Sequence, residues 1–152
     1  MSDPTQVFEP FVIEGKIEIP YCYAAGGMGS RFLTELRDHK RILGVRCPSC
    51  DRVSVPPRSI CVRCFGKLSE LVEVSDEGSL ETYATVHQAA APHHLEPPFS
   101  FGVVRLDGAD SGFVHLIGET EPGQLRIGMR VKAVFANERN GDILDIRYFK
   151  PA

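Results

Sequence analysis

No stretch of the sequence approaches the roughly 18 consecutive apolar residues of a membrane-spanning helix, so nothing in it suggests a helical span. The opening residues MSDPTQVFEP are acidic and lack the apolar core of a signal peptide. That absence predicts a cytoplasmic, reducing setting, where stable disulfides are disfavoured and paired cysteines bind metal. No internal repeat or low-complexity tract is present. A Ser-His-Asp signature is missing, as is the βαβ setting that a thioredoxin-like Cys pair needs. A stand-alone hydrolase or redox protein is therefore disfavoured. The segment GGMGS also lacks a surrounding βαβ unit, so it reads as a flexible hinge rather than a phosphate loop.

Net charge is small, at −3 over 152 residues, but it is segregated. Residues 31 to 67 hold nine Lys/Arg against three Asp/Glu, which makes that segment +6 and leaves −9 for the rest. A basic segment on an acidic chain predicts an anionic partner: phosphate, nucleic acid, a CoA-type cofactor or an acidic protein face.

What is present divides the chain into four. Residues 1–29 read as an extended arm, in which FVIEGKIEIPYCYAAGGMGS mixes an apolar run, a proline and four glycines. An arm this apolar is expected to pack on its own domain or on another chain. Residues 30–44 read as a helix, with Ser30 as N-cap, Phe32, Leu33 and Leu36 on one face, and an end near Gly44. Residues 45–67 hold two Cys-x-x-Cys pairs. Residues 68–152 read as short strands split by turns: LSELVEV, SLETYATVHQ, FSFGVVRL, GFVHLIGE, MRVKAVFA and DILDIRYF. Five or six such strands suit a small closed barrel, because closure removes exposed edges. Within SLETYATV, Leu80, Thr82, Ala84 and Val86 should share one face, and Glu81, Tyr83, Thr85 and His87 the other. His87 and His115 should be strand residues satisfied by neighbours.

Cys47 and Cys50 form one knuckle, Cys61 and Cys64 a second. Four thiolates at two tight turns suit Zn²⁺ in a tetrahedron; a rubredoxin-like iron site is the alternative. Pro48 in the first turn and Phe65-Gly66 after the second fit the turn chemistry. The intervening residues predict two short antiparallel strands, DRVSV and RSI, around Pro56-Pro57. Four thiolates leave no coordination position for water, so the metal is expected to be structural, replacing a core that so small a segment cannot build. The fifth cysteine, Cys22, sits between Tyr21 and Tyr23 with no His nearby in sequence. A buried or incidental thiol is expected there rather than a nucleophile.

The order of helix, ribbon and barrel resembles the family of zinc-ribbon plus OB-fold proteins, once a domain of unknown function, that accompany thiolase-like acyl-CoA enzymes. The matching residues are RFLTELRDHKRILGVRCPSCDRVSVPPRSICVRC, then ETYATVHQ, FGVVRLDG, LRIGMRVKAVF and the terminal YFKPA. The resemblance covers residues 30 to 152. Asp51 departs from the glycine usual after the first knuckle, without touching the metal ligands. The implied fold is mainly β: an N-terminal helix, a rubredoxin-like zinc ribbon, then a five-stranded OB-fold barrel. The implied function is a non-catalytic accessory subunit of a thiolase-type complex, with the catalytic Cys and His on the partner chain. It would help form the partner's CoA or acyl-CoA channel. The arm PYCYAAGGMGSRF resembles that of thiolase partners and points to aromatic-degradation thiolases such as the one cleaving benzoylsuccinyl-CoA. In that setting Arg41, Arg46, Arg52, Arg58 and Arg63 are candidates for CoA phosphates, which guanidinium groups bind in forked geometry, or for an acidic partner face. The loop AAAPHHLEPPF carries His93 and His94, either inserted toward a partner's acyl group or simply solvated. The alternative function is a single-stranded nucleic-acid module, since OB barrels also serve that role.

Overall fold

The computed structural model describes residues 11–15, 17, 19–88 and 95–152. One helix, α1 (Gly26–His39), precedes eight strands: β1 (Ile42–Arg46), β2 (Val53–Ser54), β3 (Glu70–Val74), β4 (Glu77–Val86), β5 (Phe99–Leu106), β6 (Phe113–Ile117), β7 (Arg130–Phe135) and β8 (Ile146–Pro151). Strands β1 to β3 form a small sheet in the order β2-β1-β3, and the other five close into a barrel in the order β4-β5-β6-β8-β7. The barrel is antiparallel except where β6 runs parallel to β8. That closure is the OB-fold arrangement, a five-stranded Greek-key barrel.

The helix starts four residues earlier than Ser30, and GGMG forms its first turn rather than a hinge. Ala25 occupies the N-cap without a side-chain bond. Met28 explains the extension, because it packs against the cluster of Val45, Cys47, Cys61 and Leu68. Tertiary packing here outweighs the poor helix propensity of glycine. Phe32 and Leu36 bury the helix face as expected. The helix stops at Lys40, well short of Gly44. Lys40 takes the left-handed conformation, and the N–H groups of Lys40 and Arg41 donate to the Leu36 and Glu35 carbonyls. Residues 42–46 are thus a strand.

LSELVEV does not belong to the barrel. It supplies β3, which pairs along β1 from Ile42↔Val74 to Arg46↔Glu70. In β4 the alternation fails midway. The register slips between Leu80 and Thr82, so Leu80 is buried while Thr82 and Ala84 are exposed. A bulge inserts one residue and exchanges the two faces beyond it. Tyr83 now packs against the core and donates its hydroxyl to the Leu125 carbonyl.

One continuous core joins the parts. Phe32 and Leu36 of the helix, Ile42, Val53, Val55 and Val74 of the small sheet, and Leu80, Val104, Phe113 and Phe149 of the barrel all belong to it. The small sheet and the barrel therefore share a hydrophobic interior, while Val45, Cys47, Cys61 and Leu68 form a second cluster under the knuckles.

Candidate metal centre and arginine face

Each knuckle is a hairpin tip built on the same bonds. Cys47 N–H donates to the Arg52 carbonyl and Asp51 N–H to the Cys47 carbonyl. Cys61 N–H donates to the Gly66 carbonyl and Phe65 N–H to the Cys61 carbonyl. The residue after the second cysteine of each pair is left-handed, Asp51 at φ 55° and Phe65 at φ 58°. The strands that carry the knuckles differ from expectation. DRVSV pairs with β1, before the first knuckle, and not with RSI. Ile60 instead bridges to Lys67, beyond the second knuckle. Each knuckle thus closes its own hairpin, and Pro56-Pro57 link the two rather than forming the turn of a third.

The four sulfurs lie within 4.8 Å of one another. Cys47 and Cys64 Sγ are 3.5 Å apart, and Cys50 and Cys61 Sγ are 3.7 Å apart. A zinc–sulfur bond of about 2.3 Å places the corners of a tetrahedron about 3.8 Å apart, so the cluster fits the ion. Before metal binds, the four thiols are not equivalent. The backbone N–H groups of Cys64 and Arg63 pull the Cys61 thiol down to about 6. The hydrogen bond with Cys47 pushes its neighbour Cys50 up to about 11. Metal binding would displace the protons that remain.

The five candidate arginines separate into two groups. Arg41 pairs with Glu35 at 2.5 Å and lies 3.8 Å from Glu73. Arg46 pairs with Asp51 at 2.7 Å and lies 3.9 Å from Glu70. Both are neutralised within the chain. Arg52, Arg58 and Arg63 instead meet around a recess of about 300 Å³ between the second knuckle and the turn after β5. Arg52 donates to the Asp110 carbonyl there, at 2.9 Å. Among the described residues, the guanidinium groups of Arg58 and Arg63 make no ion pair and no hydrogen bond.

Other expectations fall out differently. Of the two expectations for Cys22, buried or incidental, the exposed thiol fits the second. His93 and His94 lie outside the described residues. His87 sits beyond the end of β4 and is exposed. His115 is 6% exposed in β6. Its Nε2 lies 3.2 Å from the Ile143 carbonyl and its Nδ1 accepts from the Leu116 N–H at 2.9 Å.

Sequence reasoning missed an apolar groove on the barrel, lined by Leu95, Phe101, Val114, Leu116, Ile143 and Leu144. It lies across β5 and β6, the face on which OB folds bind oligonucleotides, and its described lining contains no Lys or Arg. The signal was in FVHLI, which is apolar on both phases of its alternation. This is a poor surface for a phosphate backbone.

Comparison with known proteins agrees with this architecture. Residues 34–70 match the family model described as ChsH2, rubredoxin-like zinc ribbon domain, and residues 71–136 match ChsH2, C-terminal OB-fold domain. A DUF35 domain-containing scaffold protein of Methanocaldococcus jannaschii is 31% identical over 121 residues, covering 76% of this chain and 85% of the relative. The chain belongs to the DUF35 family. Another relative is the benzoylsuccinyl-CoA thiolase subunit BbsA of Thauera aromatica, 29% identical over 99 residues, covering 64% of this DUF35 chain and 65% of BbsA. The solved Ltp2-ChsH2(DUF35) aldolase shares the fold at a TM-score of 0.62 and 22% identity, over 85% of this chain and 98% of the other. A DUF35 protein from Sulfolobus solfataricus does so at 0.64 and 23%, over 84% and 87%. Among the described residues, no helix is long and apolar enough to cross a membrane.

Proposed function

We propose that this DUF35 chain is a non-catalytic accessory subunit of a thiolase-type acyl-CoA enzyme complex. It braces the catalytic partner and lends part of the wall of its CoA channel, in the cytoplasm. The kinship with BbsA, a thiolase subunit, carries the reading. The chemistry of the chain supports it. Four of its five thiols form a closed metal set, which leaves no position for water or substrate. The fifth, Cys22, stands exposed without a hydrogen-bond partner among the described residues, so it lacks the neighbouring base that activates a nucleophile. The reactive Cys and His therefore belong to the partner.

Arg58 and Arg63, with Arg52 beside them, are the guanidinium groups free to meet an anion, and a CoA phosphate is the ligand proposed for the recess they share. The kinship extends the proposal to an aromatic acyl-CoA, of the benzoylsuccinyl kind.

Co-expression with thiolase-type subunits of its host tests the reading. The expected result is a stable complex with acyl-transfer activity, and none from the chain alone. Robust turnover by the isolated chain overturns it. In the complex, Arg58→Ala/Arg63→Ala should raise KM for CoA with little change in kcat. A salt-dependent shift with single-stranded DNA would favour a nucleic-acid module instead.

A further inference from the structure

We infer that the second knuckle is the tip by which this chain docks onto its thiolase-type partner, with Phe65 as the central anchor; the inference rests on the reading above. The two knuckles are internal controls for one another. Both need a left-handed residue after their second cysteine. Aspartate tolerates that conformation, since a short polar side chain can bond locally. Phenylalanine has no such compensation, and glycine would take the geometry without a steric penalty. Phe65 also gains nothing from burial, being 78% exposed. A strained, unburied aromatic residue is an outlier that points to function outside the folded chain.

Its neighbours extend the patch. Val62 is 66% exposed and Ile60 45% exposed, so three large apolar side chains crown a segment pinned by two metal ligands. The matching positions of the first knuckle are Arg46, Pro48 and Asp51, which present no such surface. The charge is equally lopsided. Residues 52–69 contain Arg52, Arg58, Arg63 and Lys67 and no acidic residue. The side chain of Lys67, like those of Arg58 and Arg63, makes no ion pair or hydrogen bond among the described residues, whereas Arg46 beside the first knuckle is paired with Asp51. An apolar tip with a cationic collar is complementary to an apolar hollow with an acidic rim. Aromatic and arginine side chains are the residue types that dominate protein interfaces. The aliphatic Ile60 and Val62 beside the ring favour a protein hollow over a stacked base, which wants flat aromatic neighbours. Arg63, next to Val62, also lines the CoA recess, so docking by this tip would bring that recess to the partner's surface.

The test uses the full-length, zinc-loaded chain and the thiolase-type subunit with which it co-purifies. Phe65→Gly should keep one zinc per chain and match or exceed the wild-type Tm, while raising Kd for the thiolase-type subunit at least tenfold. A purely structural role predicts a lower Tm and unchanged affinity. Arg63→Glu/Lys67→Glu should weaken the complex and flatten its salt dependence. A photo-crosslinking benzoylphenylalanine at position 65 should label the thiolase-type subunit. Unchanged affinity of Phe65→Gly, or cross-links only to a second copy of this chain or to added single-stranded DNA, overturns the inference while the proposed function stands. Failure of the wild-type chain to bind any thiolase-type subunit overturns both.

Discussion

Val53 and Asp110, 57 residues apart, exchange two hydrogen bonds of 2.8 Å: the Val53 N–H donates to the Asp110 carboxylate, and the Asp110 N–H to the Val53 carbonyl. The next rung is Ser111, whose hydroxyl accepts from the Val55 N–H and donates to the Val55 carbonyl. The turn after β5 thus acts as a short extra strand along the free edge of β2, and the barrel closes the edge that the ribbon would otherwise expose. Asp110→Ala leaves the N–H of a buried residue without its acceptor, which costs about 1–3 kcal/mol. The expected outcome is a lower urea midpoint at unchanged zinc content. An unchanged midpoint would mean that the ribbon does not depend on this seam.

Removal of the metal tests whether ribbon and barrel are one cooperative unit. Ile42, Val53 and Val55 of the ribbon share their core with Leu80 and Phe149 of the barrel. Cys61→Ser, or chelation of the wild type, should abolish stoichiometric zinc binding and lower the midpoint of a single unfolding transition of the whole chain, because metal binding energy is folding energy here. Calorimetry that resolved a barrel melting at its original temperature would contradict the shared core. Zinc affinity should also fall on acidification, since the ligands bind as thiolates.

His115 gives the barrel a pH dependence. Burial lowers its pKa from the ordinary histidine value, and the Leu116 N–H directed at Nδ1 is satisfied only by the neutral ring. The unfolded chain therefore takes up a proton near pH 6.5 that the folded chain refuses. Stability is fully present above that value and declines as pH falls toward the lowered folded pKa, by at most about 1.4 kcal/mol per pH unit. His115→Gln should flatten the plot of unfolding free energy against pH between about 7 and 5. An identical slope in the variant would assign the dependence to other groups.

The parts most legible in the sequence were those set by local spacing. Cys47, Cys50, Cys61 and Cys64 disclose their cage because a knuckle confines its ligands to four consecutive residues, and the barrel strands show as apolar runs between turn signals. What stayed hidden depends on distant partners. Ser30 has the chemistry of an N-cap, yet Met28 packing on the ribbon cluster decides where the helix begins. The alternation of LSELVEV identifies a strand but not its sheet, and only pairing with β1 places it in the ribbon. The slip between Leu80 and Thr82 exchanges the faces of β4 with no glycine or proline to announce it. The arginines look alike in sequence. Their partners separate them: Arg41 and Arg46 meet Glu35 and Asp51 close by in the chain, while Arg52 reaches the backbone carbonyl of Asp110, 58 residues away.

Gly78 tests the barrel closure itself. It pairs on one side with Leu106 of β5 and on the other with Val131 of β7, so β4 turns from one neighbour to the other at this residue. A Cβ there would lie 2.2 Å from the Arg105 carbonyl oxygen and 2.8 Å from the Leu106 Cα. Both obstacles are backbone, so no rotamer change relieves them, and the strands must part. Gly78→Ala should cost at least the 1–3 kcal/mol or so typical of overpacking. Gly123→Ala adds the same methyl group in the turn Pro122–Gln124, with nothing within 4 Å, and should change stability by less than about 0.5 kcal/mol. Urea unfolding of the two variants side by side separates the effect of close strand approach from that of losing a glycine. Equal midpoints would mean that β4 does not close the barrel against both β5 and β7 at this position.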